Sequence, residues 1–266
     1  MIERKATGIA GLDAMLNGGF LPESAILVEG APGTGKTTLG LQFIINGITA
    51  CNEPGLVLTF EEFPQQYYRD AAGFGWDLRA LEAQDKLRVI MTSPEVTLAD
   101  LKRTGGLLEQ QAQAIGARRI LVDSLSHFER IALDQRGEPD RLAFRETVFT
   151  FINALKRLGL TAILTWETST LLGGLAGEPG GKPVAYLVDG YILLRYVEID
   201  SVMRKAMLVL KLRGSDHAKD IRQYEITPHG LVVESRFEGR QGIMSGNAVP
   251  SMAQAFDQAF GRPRRD

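Results

Sequence analysis

An apolar run, AILV at positions 25–28, leads within two residues into GAPGTGKT, Gly30 to Thr37. Few stretches of this length restrict a fold so tightly. Gly30, Gly33 and Gly35 carry no Cβ, so the backbone there is free to take positive φ and to approach a ligand closely. A loop of that kind aims several N–H groups at one point, and a helix starting at Lys36 favours negative charge at the same point. The occupant is therefore an anion. The spacing fits G-x-x-x-x-G-K-[ST] at every fixed position, the P-loop pattern that cradles a nucleoside triphosphate between a strand and a helix. On this reading Gly33, Thr34, Gly35, Lys36, Thr37 and Thr38 surround the phosphates. Lys36 neutralises the β- and γ-phosphates, and the Thr37 hydroxyl ligates Mg²⁺.

Such a site needs a second oxygen ligand for the metal. Asp123 closes the apolar run ILVD, and an acid at the carboxyl tip of a central parallel strand faces the crevice where ligands bind. The alternative for Asp123 is a cap on the following helix. Hydrolysis also needs a carboxylate to position or deprotonate water. Glu61 and Glu62 end the run LVLTF; if both lie on the strand they point to opposite faces, one toward the nucleotide. Two solvated glutamates before the helix at Pro64 are the plainer alternative. Glu167, after LTAILTW, is a weaker rival.

The rest of the chain reads as alternating strands and helices. A short helix lies within Thr7–Phe20. Helices span Lys36 to about Ala50, Pro64–Ala72, Leu98–Ile115 with a break near Gly105-Gly106, and Arg141–Leu158. Strands fall at ESAILVEG, ending at Gly30, at LVLTF, ending at Glu61, and at KLRVIM, RRILVDS and LTAILTW. That alternation predicts an α/β fold with a mainly parallel central sheet and helices on both faces. After Trp166 a glycine-rich stretch reads as a mobile loop. From Val184 three segments alternate as antiparallel strands toward the C-terminal side, with Asp200-Ser201 as a hairpin tip. We expect one domain over residues 1–236 and a tail over 237–266 that is loosely ordered or makes contacts.

Composition narrows the classes. Among 266 residues, 30 basic against 32 acidic side chains leave a net charge of -2, which argues against a nucleic-acid partner. No apolar run reaches the roughly 18 residues needed to cross a bilayer. The N-terminus lacks the apolar stretch of a secretory signal, so a cytoplasmic protein is expected, with no membrane partner. One feature stays unexplained by a single P-loop: KLRGSDH, Lys211 to His217. Lys211 and Arg213 alternate on a strand and share a face, as cations offered to a γ-phosphate from outside its own domain would. A solvated strand face or a DNA contact are the alternatives, and His217 alone reads as a turn histidine.

Taken together, TGIAGLDAMLNGGF, ILVEGAPGTGKTTLGLQFI, TFEEFPQQ, GFGWDL, ILVDSLS, TAILTWE, YILLRYVEI and LKLRGSDHAKDIRQYEIT resemble the KaiC-type ATPases of the RecA/RadA group of P-loop NTPases. The likeness spans about residues 7 to 235, as a single module. It implies a RecA-like fold, ATP as the nucleotide, and a homohexameric ring with ATP between subunits. It implies that Glu61 and Glu62 supply the catalytic carboxylates. It also implies that Lys211, Arg213 and His217 reach the nucleotide of the adjacent subunit. Where the clock protein's second module carries adjacent autophosphorylated Ser and Thr, this chain has Ala185 and Tyr186. That departure favours an ATPase acting as a slow nucleotide switch over an autokinase.

Two other readings stand beside it. A RecA/RadA-like DNA-dependent ATPase needs cations on the loops near the ring axis, and the glycine-rich loop offers Lys182 offset by Glu178. A nucleotide-dependent scaffold would use the tail AQAFDQAFGRPRRD as a protein contact, as a short amphipathic helix with a basic end.

Overall fold

Strand and helix alternate from α1 (Leu12–Met15) onward in the computed structural model, which describes residues 3–132, 140–168, 184–237, 240–245 and 249–250. The apolar run before the glycine loop is β1 (Ala25–Gly30), and the loop opens directly into α2 (Lys36–Cys51). Next come β2 (Gly55–Thr59), α3 (Pro64–Ala72), α4 (Leu78–Ala83), β3 (Leu87–Met91), α5 (Pro94–Leu101), α6 (Leu107–Ile115) and β4 (Arg119–Asp123). A 3-10 turn over Leu125–Arg130 precedes α7 (Arg141–Arg157) and β5 (Thr161–Glu167). The chain then becomes all-β, with β6 (Gly190–Ile199), β7 (Val202–Leu212), β8 (Arg222–Thr227) and β9 (Gly230–Arg236). A two-stranded ribbon, β10 (Arg240–Gln241) with β11 (Val249–Pro250), follows.

One sheet of nine strands carries the order β3-β2-β4-β5-β1-β6-β7-β8-β9. Every pairing from β3 across to β6 is parallel, and the pairings of β6 through β9 are antiparallel. This is the expected α/β architecture. Successive residues of the central strands point to opposite faces, and because both faces are covered β1 and β2 are buried throughout. Ile26, Val28, Val57, Leu121 and Ile163 face α2, through Leu39, Phe43 and Ile44. Leu27, Leu58, Ile120, Val122 and Leu164 face α7, through Phe144, Val148, Phe151 and Leu155. β1 sits between β5 and β6, so the glycine loop leaves the sheet near its middle.

Local signals explain where the elements differ from expectation. The helix expected over Leu98–Ile115 is two helices. Ser93 Oγ accepts from Val96 N at 3.3 Å with Pro94 in the first turn, so α5 starts early. Gly105 at φ 71° then turns the chain, and the Asp100 carboxylate accepts from the Leu107 and Leu108 amides at 2.6 and 3.0 Å. α4, started by Asp77 accepting from Ala80 N at 2.9 Å, was not foreseen. The expected helix within Thr7–Phe20 shrinks to the four residues of α1. β character does not begin at Val184: residues 184–187 form a turn, and β6 starts at Gly190. The hairpin tip does fall at Asp200-Ser201, where both residues have positive φ. Beyond Phe237, Ile243 and Met244 are buried against Leu193, Val197 and Ala206 of the sheet. The glycine-rich loop with Lys182 and Glu178, and the tail from 251 onward, lie outside the described residues.

Candidate functional site

The glycine loop is shaped by contacts from both sides. Gly33 and Gly35 hold φ of 76° and 92°, values an L side chain rarely adopts, and a Cβ on Gly35 would stand 2.7 Å from Ile226 Cδ1. Thr34, fully buried, donates its hydroxyl to Ala31 O at 2.7 Å. Its own carbonyl accepts the Tyr224 hydroxyl at 2.6 Å. Burial raises the Tyr224 pKa, so the phenol stays a donor. The β8–β9 pair that carries Tyr224 is bolted to α2: Gln42 Nε2 donates to Leu231 O at 3.2 Å and Gln42 Oε1 accepts from Leu231 N at 2.7 Å. Gly35 caps α2 and contributes no side-chain cap, so the amides of that first turn are left for a ligand. Lys36 Nζ donates to Ala31 O at 3.1 Å, and Thr38 lies half-buried in the same helical turn.

Asp123 is the meeting point. The Thr37 hydroxyl donates to its Oδ2 at 2.7 Å. The Tyr67 hydroxyl, from α3, donates to the same oxygen at 2.8 Å, and Thr165 Oγ1, from β5, donates to Oδ1. Burial first, then the charge and hydrogen bond of Asp123, keep Tyr67 protonated. The capping alternative for Asp123 does not hold, since Ser124 caps the turn after β4, its Oγ accepting from Ser126 N at 3.2 Å. Tyr67 and Thr165 escaped sequence reasoning because their partner lies far along the chain. In the fold β4 and β5 are parallel with Val122 opposite Leu164, which sets Thr165 beside Asp123.

The two glutamates arrive differently from expectation. β2 ends at Thr59, so Glu61 and Glu62 are not on a strand, and the opposite-faces argument does not apply. Both lie within a bend over residues 60–62 instead. The Thr59 hydroxyl holds it, accepting from Glu62 N at 3.2 Å and donating to Glu62 O at 3.1 Å. Glu61 is exposed and its Oε2 lies 3.1 Å from His127 Nε2. Glu62 is half-buried; desolvation, then the charges of Asp123, Asp70 and Glu61, raise its pKa. Glu167 is exposed and makes no hydrogen bond to another described side chain.

Lys211 and Arg213 share one destination, and it is not their own glycine loop. Lys211 Nζ donates to the carbonyls of Ala185 and Val188 at 3.0 and 2.7 Å, and Arg213 Nη2 donates to Tyr186 O at 2.8 Å. Lys211 pairs with Tyr191, near the start of β6, whereas Gly30 pairs with Leu194. The two cations therefore sit toward the amino-terminal edge of the parallel strands, and the glycine loop leaves from the carboxyl edge. Burial and then the charge of Arg213 lower the Lys211 pKa. Asp189 ties this corner together: its Oδ2 accepts from Ala25 N at 2.9 Å and from Lys156 Nζ at 2.6 Å, and its Oδ1 lies 3.9 Å from Arg213. His217 sits in the next loop with Nδ1 2.9 Å from Ala218 O, joined to neither cation.

A glycine loop between a central parallel strand and a helix, with a threonine beside a strand-tip aspartate, defines a P-loop nucleotide-binding protein on a RecA-like sheet. Comparison narrows the class. A family model described as "ATPase: KaiC" matches residues 5–238, and the chain belongs to that family. It is 36% identical to the circadian clock protein KaiC3 of Synechocystis over 97% of its own length, and spans 49% of that relative. It is 33% identical to a circadian clock oscillator protein KaiC of Prochlorococcus marinus over 87% of its length, spanning 46% of it. The chain thus covers about half of each clock relative. A UPF0273 protein of Methanocaldococcus jannaschii matches at 32% over 87% of this chain and 96% of that protein. No helix among the described residues is long and apolar enough to cross a membrane.

Proposed function

We propose that the protein binds ATP and hydrolyses it slowly, as a ring-forming nucleotide switch whose sites are completed by a neighbouring copy. The observation that carries this is the adjacency of Thr37 and Asp123 at 2.7 Å beneath a helix start left open to an anion. Lys36 exchanges Ala31 O for the phosphates. The loop amides hold the β-phosphate. Thr37 and Asp123 present hard oxygen ligands, which suit Mg²⁺. Among the described residues, no group of three or more His, Cys, Asp or Glu is placed to hold a metal ion by protein ligands alone. When bound, Mg²⁺ supplies charge stabilisation to the phosphate oxygens.

In the reaction the water oxygen bonds to the γ-phosphorus as the bond to the β–γ bridging oxygen breaks, its electron pair leaving on ADP. A carboxylate of the Glu61-Glu62 pair takes the water's proton and releases it to solvent. The position of Lys211 and Arg213 at the far edge of the sheet supports their acting on a neighbour's γ-phosphate, since they do not turn back to their own loop. His217 joins them only through that neighbour. The switch reading is favoured over a DNA-dependent motor by the near-zero net charge. Isothermal titration of ATP tests the core of the proposal: Lys36→Ala is expected to weaken binding at least about 100-fold and abolish turnover. Unchanged affinity in that variant overturns it. The cytoplasmic setting, the hexameric state and the tail contact are part of the same proposal.

A further inference from the structure

We infer that His127 is a positioning residue that selects Glu61, rather than Glu62, as the water-activating carboxylate; this rests on the ATPase reading above. An ionised carboxylate only accepts hydrogen bonds, so the 3.1 Å contact requires His127 to present a proton on Nε2. The imidazole is itself fixed. Its side chain is 12% exposed, and its ring meets Phe60 edge-on at 6.4 Å between centroids. Its amide donates to Ser124 O at 3.2 Å, one residue beyond Asp123. Phe60 N donates in turn to Asp123 O at 3.1 Å. The ends of β2 and β4, adjacent and parallel, therefore place the glutamate and its holder side by side at the edge that carries Asp123.

The two glutamates differ in what holds them. Glu61 has one oxygen on His127, while Oε1 accepts no hydrogen bond among the described residues, a carboxylate oriented by one oxygen with the other available. The Glu62 carboxylate has no hydrogen-bond partner among the described residues, so none of them orients it. A base oriented by a third group is the arrangement that proton abstraction requires. In the step, the water's proton moves to Glu61 Oε1 as the oxygen–phosphorus bond forms, and His127 keeps its own proton throughout.

Steady-state and single-turnover ATP hydrolysis on the full chain tests this, with ATP affinity measured in parallel. His127→Phe keeps the ring packing against Phe60 and removes the donor; kcat is expected to fall about 10- to 100-fold with ATP affinity unchanged within about twofold. His127→Gln, which restores an N–H donor, is expected to recover most of the rate. In a Glu61→Gln background, His127→Phe is expected to cost less than about twofold more. If His127→Phe keeps the wild-type kcat, or its loss persists undiminished beside Glu61→Gln, the inference falls while the ATPase reading stands. If Glu61→Gln leaves no measurable rate, the Phe and Gln pair at 127 decides, and equal rates for the two overturn it. Wild-type turnover no faster than Lys36→Ala overturns the reading underneath.

Discussion

Asp123 shows how much chemistry one side chain collects when strand tips converge. Three hydroxyls, from Thr37, Tyr67 and Thr165, end on its two oxygens, and Glu62 pushes back from the other side. Glu62 thus carries a cost that can be read from stability. Its folded pKa lies above the usual 4.5 of a free glutamate, so its protonated form favours the fold. That contribution is complete below the unfolded pKa and is lost as pH rises through the folded one. Glu62→Gln, neutral at every pH, is expected to melt higher than wild type at pH 7, with the gap closing near pH 4. Thermal unfolding at the two pH values checks this, and a gap that is constant with pH contradicts it. At this scale the sequence pointed to Gly33, Lys36, Thr37 and Asp123, because each is defined by neighbours within a few positions. His127 and Tyr67 were hidden, because what they touch is set by the pairing of β2 with β4 and by the packing of α3.

Among the elements, the β8–β9 hairpin is a brace for the glycine loop. Gln42 fastens it to α2, and Tyr224 reaches from it to the Thr34 carbonyl. A loop shaped in advance has less freedom to lose when it binds. Tyr224→Phe leaves that buried carbonyl unpaired, at about 1–3 kcal/mol. It is expected to weaken ATP affinity about tenfold and to leave kcat at saturating ATP intact; calorimetry and turnover assays separate the two, and a fall in kcat alone refutes the brace. Element identity was largely legible from apolar runs and periodicity, including the Asp200-Ser201 tip. Element ends were not: α5 begins at Pro94 because Ser93 caps it, and β6 waits until Gly190 because residues 184–187 turn to meet Lys211 and Arg213. Strand order was invisible, since nothing local in AILVEG says that β5 and β6 flank it.

For the whole molecule, the decisive fact is that the glycine loop and the Lys211-Arg213 pair stand toward opposite edges of the same parallel strands. One copy cannot join them, and a ring of copies can. Chains bearing Lys36→Ala still offer the cations, and chains bearing Arg213→Ala still offer the loop. Each variant alone is expected to be inactive. An equal mixture assembled together is expected to regain about a quarter of the wild-type rate, the share of random interfaces with both halves intact. A mixture as dead as its components contradicts shared sites, and the particle mass with and without ATP gives the number of copies. Asp189 adds a consequence. The same carboxylate grips the foot of the strand leading to the glycine loop and stands 3.9 Å from Arg213. On the proposal that this arginine serves a neighbouring copy, drawing it away would change the footing of its owner's cradle too. Filling one pocket would therefore bias the following pocket in a single rotational sense, so that the assembly counts its nucleotides in sequence instead of letting each bind independently.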